Sequence, residues 1–102
     1  MVAEFYGNRI GRISTKGTVT EYPIPTAGSN SAWITAGPDR NLWFTEQTGN
    51  QIGRITMSGS VTEYLVPTAG SYPAGIAAGP CGKLWFAEQV GNKIGALRPS
   101  AG

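Results

Sequence analysis

The sequence contains no histidine and only one cysteine, Cys81. A lone thiol excludes an intrachain disulfide and a multi-cysteine metal centre, and with no imidazole to activate it a catalytic cysteine is disfavoured. There is no phosphate-cradling glycine loop, serine triad or zinc-ligand spacing. No apolar stretch approaches the roughly 20 residues of a membrane-spanning helix, and no basic segment followed by a hydrophobic one opens the chain. No window carries a 3.6-residue apolar period, so essentially no helix is expected. The net charge is +2, and Arg9, Lys16, Arg40, Lys83 and Arg98 are scattered. A nucleic-acid or acidic-membrane partner would need clustered cations. The expectation is a soluble, cytoplasmic protein without nucleic-acid or membrane partners.

What is abundant is turn-forming residues: 15 glycines and 7 prolines among 102 residues. With 40% apolar and 14% charged residues the chain has the composition of a globular domain. Frequent turns between short apolar segments point to strands.

Those strands repeat. Leu42-Trp43-Phe44-Thr45-Glu46 returns as Leu84-Trp85-Phe86-Ala87-Glu88, and each is followed by a Gly-Asn-x-Ile-Gly string, Gly49 to Gly53 and Gly91 to Gly95. Glu4-Phe5-Tyr6-Gly7-Asn8-Arg9-Ile10-Gly11 is an earlier echo. Glu4, Glu46 and Glu88 are spaced by the same 42 residues. A period of roughly 40 to 45 residues with several short strands is the size of one β-propeller blade. The fold class is therefore all-β, built of four-stranded antiparallel propeller blades.

Labelled A to D from the axis outward, the unit at 29–70 has all four strands: Ala32–Ala36, Leu42–Glu46, Ile52–Thr56 and Val61–Leu65. Its B strand is apolar at three consecutive positions, as expected where a blade packs between two neighbours. Its D strand alternates, with Val61, Glu63 and Leu65 on one face. The unit at 1–28 supplies B, C and D without A. The unit at 71–102 supplies A, B and C without D. Two or three blades cannot close a ring of about four to eight, so head-to-tail association is expected, with Val19-Thr20-Glu21-Tyr22 filling the missing D place of another copy. Three copies are preferred and four are the alternative. The start inside a B strand also suits a piece of a longer propeller gene.

The string Gly79-Pro80-Cys81-Gly82-Lys83-Leu84-Trp85-Phe86-Ala87-Glu88 with Gly91-Asn92-Lys93-Ile94-Gly95 resembles the blade motif of the virginiamycin B lyases, also called streptogramin B lyases. Gly53-Arg54-Ile55-Thr56, Thr62-Glu63-Tyr64 and Pro67-Thr68-Ala69 resemble it too. The likeness covers nearly the whole chain, about two and a half of that family's seven blades. It implies a metal-assisted lyase that opens a cyclic depsipeptide antibiotic by elimination across its ester, using histidines, a glutamate and bound magnesium. The family's glutamate falls on Glu88, but its histidine positions fall on Ala74 and Gly91. In the preceding unit the same places are Glu46, Ala32 and Gly49. Elimination needs a group that titrates near neutrality, and none stands here. A noncatalytic propeller with a binding or scaffolding role is favoured, needing no cofactor. The alternative is a carbon–oxygen lyase, active when oligomerised, with Glu46 and Glu88 as catalytic and Mg²⁺-binding residues.

Glu4, Glu46 and Glu88 would form a carboxylate ring at the mouth of a closed propeller, able to hold a hard cation. The competing reading has each accept hydrogen bonds at its strand end. Trp43 and Trp85 repeat at the period and read as core. Trp33 and Tyr72 lack aromatic counterparts, Gly75 and Asn30 standing in their places, and are the candidates to contact a small-molecule or peptide ligand on the axial face. Arg12 and Arg54 read as solvated strand residues or partners of Glu21 and Glu63.

Overall fold

The structure is a computed structural model that describes residues 2–4 and 8–99. Ten strands follow in order: β1 (Val2–Glu4), β2 (Arg9–Ile13), β3 (Val19–Pro23), β4 (Ser31–Ala36), β5 (Leu42–Glu46), β6 (Gln51–Ile55), β7 (Val61–Leu65), β8 (Pro73–Ala78), β9 (Leu84–Glu88) and β10 (Lys93–Leu97). They form three antiparallel sheets, ordered β1-β2-β3, β4-β5-β6-β7 and β10-β9-β8. The one helical feature among the described residues is a 3-10 turn at Pro80–Gly82, where proline and glycine tighten a corner that sequence periodicity could not reveal. Phe5, Tyr6, Gly7, the side chain of Glu4 and the final Ser100-Ala101-Gly102 lie outside the described residues.

The sheets pack face to face through two seams. The first buries Ile10, Ile24, Phe44 and Ile55, with Tyr22, Ile34, Leu42 and Val61 packed against them. The second buries Trp43, Ile52, Val66, Leu84 and Phe86, backed by Tyr64, Ile76 and Leu97. The consecutive apolar residues of β5 thus serve both neighbours: Leu42 and Phe44 face the first sheet and Trp43 faces the third. This alternation is what a strand buried on both faces requires.

Two glycines allow the rings to lie flat on the neighbouring strand. A Cβ at Gly53 would stand 2.2 Å from Phe44 Cζ, and one at Gly95 would stand 2.2 Å from Phe86 Cζ. Glycine is needed there because a ring occupies the side-chain position.

Trp85 departs from expectation. Trp43 is 1% exposed, but Trp85 is 39% exposed, because the face of β9 that carries it looks away from the second sheet and no described sheet covers it.

Candidate functional site

Glu46 and Glu88 end the B-type strands β5 and β9, each paired with the first residue of the inner strand beside it, Ser31 and Pro73. Just beyond those pairs each inner strand bulges, between Ser31 and Ile34 and between Pro73 and Ile76. Ala32 and Ala74 occupy these bulges. Opposite them Gly49 and Gly91 crowd the carboxylates: a Cβ at Gly49 would stand 3.2 Å from Glu46 Oε1, and one at Gly91 would stand 3.0 Å from Glu88 Oε1. A carboxylate, a bulged inner residue and a glycine therefore come together twice, at Glu46 with Ala32 and Gly49 and at Glu88 with Ala74 and Gly91.

Both carboxylates are buried. Gln51 Nε2 donates to Glu46 Oε1 at 3.2 Å, to Thr26 Oγ1 at 2.9 Å and to Glu63 Oε2 at 3.4 Å. Thr26 Oγ1 in turn donates to Glu63 Oε1 at 3.0 Å. Burial pushes the Glu46 carboxyl up to about 9, and the hydrogen bond and charge of Glu63 push the same way while Gln51 opposes them. With its carboxyl so raised, Glu46 is neutral at pH 7. Glu46 Oε2 and Glu88 Oε1 are buried without a hydrogen-bond partner among the described residues.

Mg²⁺ takes about six oxygen ligands, of which the protein commonly supplies one or two carboxylates and water the rest. Among the described residues no group of three or more acidic, histidine or cysteine side chains converges on one point.

The asparagines of the repeated Gly-Asn string do not bond the glutamates; they clamp the linkers. Asn8 Nδ2 donates to the carbonyls of Ile24 (3.2 Å) and Thr26 (3.0 Å), while its Oδ1 accepts from Ser29 N (3.1 Å) and Ser29 Oγ (2.7 Å). Asn50 repeats the pattern on Val66, Thr68 and Ser71. These roles went unread in the sequence, although both asparagines recur at the 42-residue spacing.

The arginines also find other partners. Arg54 pairs with Thr62 across the strands while Gly53 opposes Glu63, so Arg54 and Glu63 point to opposite faces. Arg54 instead reaches Asp39 at 3.9 Å and lies over the Trp43 ring at 5.8 Å. Burial would raise the Asp39 carboxyl, but hydrogen bonds from Trp43 Nε1 and from Asn41 outweigh it and hold it below its ordinary value. Arg12 donates to the Met57 carbonyl at 3.3 Å, and Glu21 takes Arg9 at 3.8 Å.

Trp33 is exposed and lines an open groove of about 440 Å³ with Gly75, Ala77, Trp85, Ala87 and Ile94. Tyr72 is not part of this groove; it stands at the start of the inner strand with a left-handed backbone, φ +58°.

The profile of the Virginiamycin B lyase family matches residues 2–102. The chain belongs to the virginiamycin B lyase family. A crystal structure of a catalytically inactive histidine-to-alanine variant of virginiamycin B lyase from Staphylococcus aureus with quinupristin is 50% identical, with a TM-score of 0.90 over 92% of this chain and 32% of that one. The selenomethionine form of the Staphylococcus aureus enzyme is 42% identical, TM-score 0.84, over 94% of this chain and 36% of that one. A streptogramin B lyase structure is 39% identical, TM-score 0.82, over 95% and 36% respectively. The chain spans about a third of the length of these lyases. No curated protein sequence matches it.

Proposed function

We propose that this chain is a noncatalytic module of the lyase-type propeller, which associates head to tail with further copies and offers the axial face of the assembly for binding or scaffolding a small molecule or peptide. What carries the reading is the company of the buried carboxylates. Ala74 and Gly91 flank Glu88, Ala32 and Gly49 flank Glu46, and no histidine occurs in the sequence. In the Staphylococcus aureus relative, one histidine-to-alanine change goes with a catalytically inactive protein. Neutral, inward-bonded Glu46 is also a poor acceptor for a substrate proton at pH 7. Trp33 and Tyr72 are the ligand contacts in this reading, and no cofactor is required. The length ratio to the lyases favours three copies, with four as the alternative.

A second reading, a Mg²⁺-dependent carbon–oxygen lyase that linearises streptogramin B antibiotics once assembled, draws on one observation: the unpartnered, buried Glu88 Oε1 facing Gly91. Incubation with quinupristin and added Mg²⁺, followed by mass spectrometry for the opened ring, separates the two. No turnover above a Glu88→Ala control is expected. Turnover that disappears in Glu88→Ala sinks the noncatalytic proposal.

A further inference from the structure

The inner strands β4 and β8 carry the same irregularity and use it differently. In β4, Ser31 opposes Glu46 and Ile34 opposes Phe44, so Ala32 and Trp33 share the single partner Thr45. In β8, Pro73 opposes Glu88 and Ile76 opposes Phe86, so Ala74 and Gly75 share Ala87. Two residues against one make a β-bulge, which reverses the alternation of side chains beyond it. Its effect on β4 is visible in the neighbours. Ile34 lies three residues after Ser31, an odd step that sets residues on opposite faces of a regular strand. Yet Ile34 packs with Phe44 in the first seam, and Ser31 stands opposite Glu46, which alternation puts on the same side as Phe44. Trp33, which a regular strand would turn to the first sheet, lies instead beside Gly75 and Ala77 of the next inner strand.

A bulge leaves a backbone N–H outside the ladder, and that donor still needs a partner. The Trp33 N–H donates to Thr45 Oγ1 at 3.3 Å. Thr45 is fully buried, and a hydroxyl in that place is costly unless bonded. In the third sheet the opposing residue is Ala87, which has no side-chain acceptor, and the bulge presents Gly75, which has no side chain to aim. Hydroxyl and indole are present together in one unit and absent together in the next. The blade itself does not require them, since the same bulge forms in β8 without either.

We propose that Thr45 is the positioning residue of an aromatic platform: its hydroxyl holds the bulge that keeps the Trp33 indole on the inner side, where the indole stacks an uncharged flat ring of a ligand. The ligand class follows from the surroundings. An indole offers a large flat apolar surface. Gly75 and Ala77 beside it bring no charge, and a Cβ at Gly75 would meet nothing within 4 Å, so the space next to the ring is open. The inference rests on the ligand role given to Trp33 above and adds what holds that residue in place.

Nuclear magnetic resonance on the full chain with isotope-labelled tryptophan tests it. The sequence has three tryptophans, so Trp43 and Trp85 report any general loosening. Thr45→Val keeps the shape and removes the hydroxyl. The Trp33 amide is then expected to exchange with solvent roughly five- to tenfold faster, while those of Trp43 and Trp85 hold. Thr45→Ser restores the acceptor and is expected to return Trp33 toward the wild-type rate. Thr45→Ala, with the side chain that Ala87 carries at the matching place, repeats the measurement without a branched residue. N-acetyltryptophanamide at millimolar concentration is the ring probe. It is expected to shift the Trp33 indole N–H signal in the wild type and in Thr45→Ser, and to shift it less in Thr45→Val. An unchanged Trp33 exchange rate in the Val and Ala variants, or a rise shared equally by all three tryptophans, overturns the positioning role. A Trp33 signal that the probe leaves in place, while the Thr45 effect stands, overturns the ligand role of Trp33 and keeps the hydroxyl-held bulge.

Discussion

At the scale of single residues, Glu46 couples stability to pH. Its folded-state carboxyl is raised from 4.5 to about 9, so between those values the native chain keeps a proton that the unfolded chain has lost. The native state binds more protons, and stability therefore falls as pH rises through that window. The decline approaches at most about 1.4 kcal/mol per pH unit for one such group. Glu46→Gln keeps the shape, cannot ionise and can donate to Glu63. Thermal unfolding from pH 5 to 9 is expected to show a steep fall in the wild type and a shallower one in the variant. Equal slopes would mean that Glu46 is ionised in the native state. Gly53 makes a second residue-scale prediction. With a ring carbon of Phe44 at 2.2 Å from the position of its missing Cβ, Gly53→Ala is expected to cost about 3 kcal/mol in urea unfolding. An effect below about 0.5 kcal/mol, the size of a neutral surface change, would show that the ring moves aside freely.

Among elements, the strands were the legible part, because the sequence repeats and each copy carries turn residues where the chain must reverse. Bounds shifted by one residue in two strands: β4 begins at Ser31, which pairs with Glu46 before the bulge, and β6 runs from Gln51, which pairs with Glu46 on its other side, to Ile55. The bulges were not legible, as they lie among small residues without a pattern of their own. Trp85 was misread for a different reason: periodicity fixes which face a residue takes but says nothing about whether a neighbour covers that face. The asparagine clamp was visible only as a repeated letter, because its partners are mostly backbone atoms about twenty residues away. It supports an element-scale prediction. Asn50 holds φ +56° and bonds two carbonyls, an amide and a hydroxyl of the linker between β7 and β8. Asn50→Ala loses those bonds and strains the backbone, and is expected to cost about 3 kcal/mol; Asn50→Gly relieves the strain alone and should recover about 1 kcal/mol. Asn92 shares the backbone conformation, φ +55°, but clamps no linker among the described residues. Asn92→Ala is therefore expected to cost only the strain. Equal melting-temperature losses for the Asn50 and Asn92 alanine variants would remove the clamp from the account.

For the whole molecule, the decisive feature is that its two outer faces are the two halves of its own internal seams. Ile52 is 2% exposed between the second and third sheets, while its counterpart Ile94 is 68% exposed on the far face of the third. Ile55 is fully buried against the first sheet, while its counterpart Ile13 is 68% exposed on the near face of the first. Each seam joins an Ile52-type face to an Ile55-type face, and the proposed assembly sets the far face of one chain against the near face of another in the same way. Such a contact is heterologous and forms a ring when the rotation closes. In the proposed assembly, apolar area of this kind, including Trp85 and the groove beside Trp33, is covered by the next copy. Light scattering on a sizing column over two decades of concentration is expected to show one discrete species of three times the 10.7 kDa chain mass. Four chains would keep the ring and change its blade number. A folded monomer at every concentration would overturn assembly by these faces, whereas polydisperse aggregate would mean that the faces stick without the rotation that closes them.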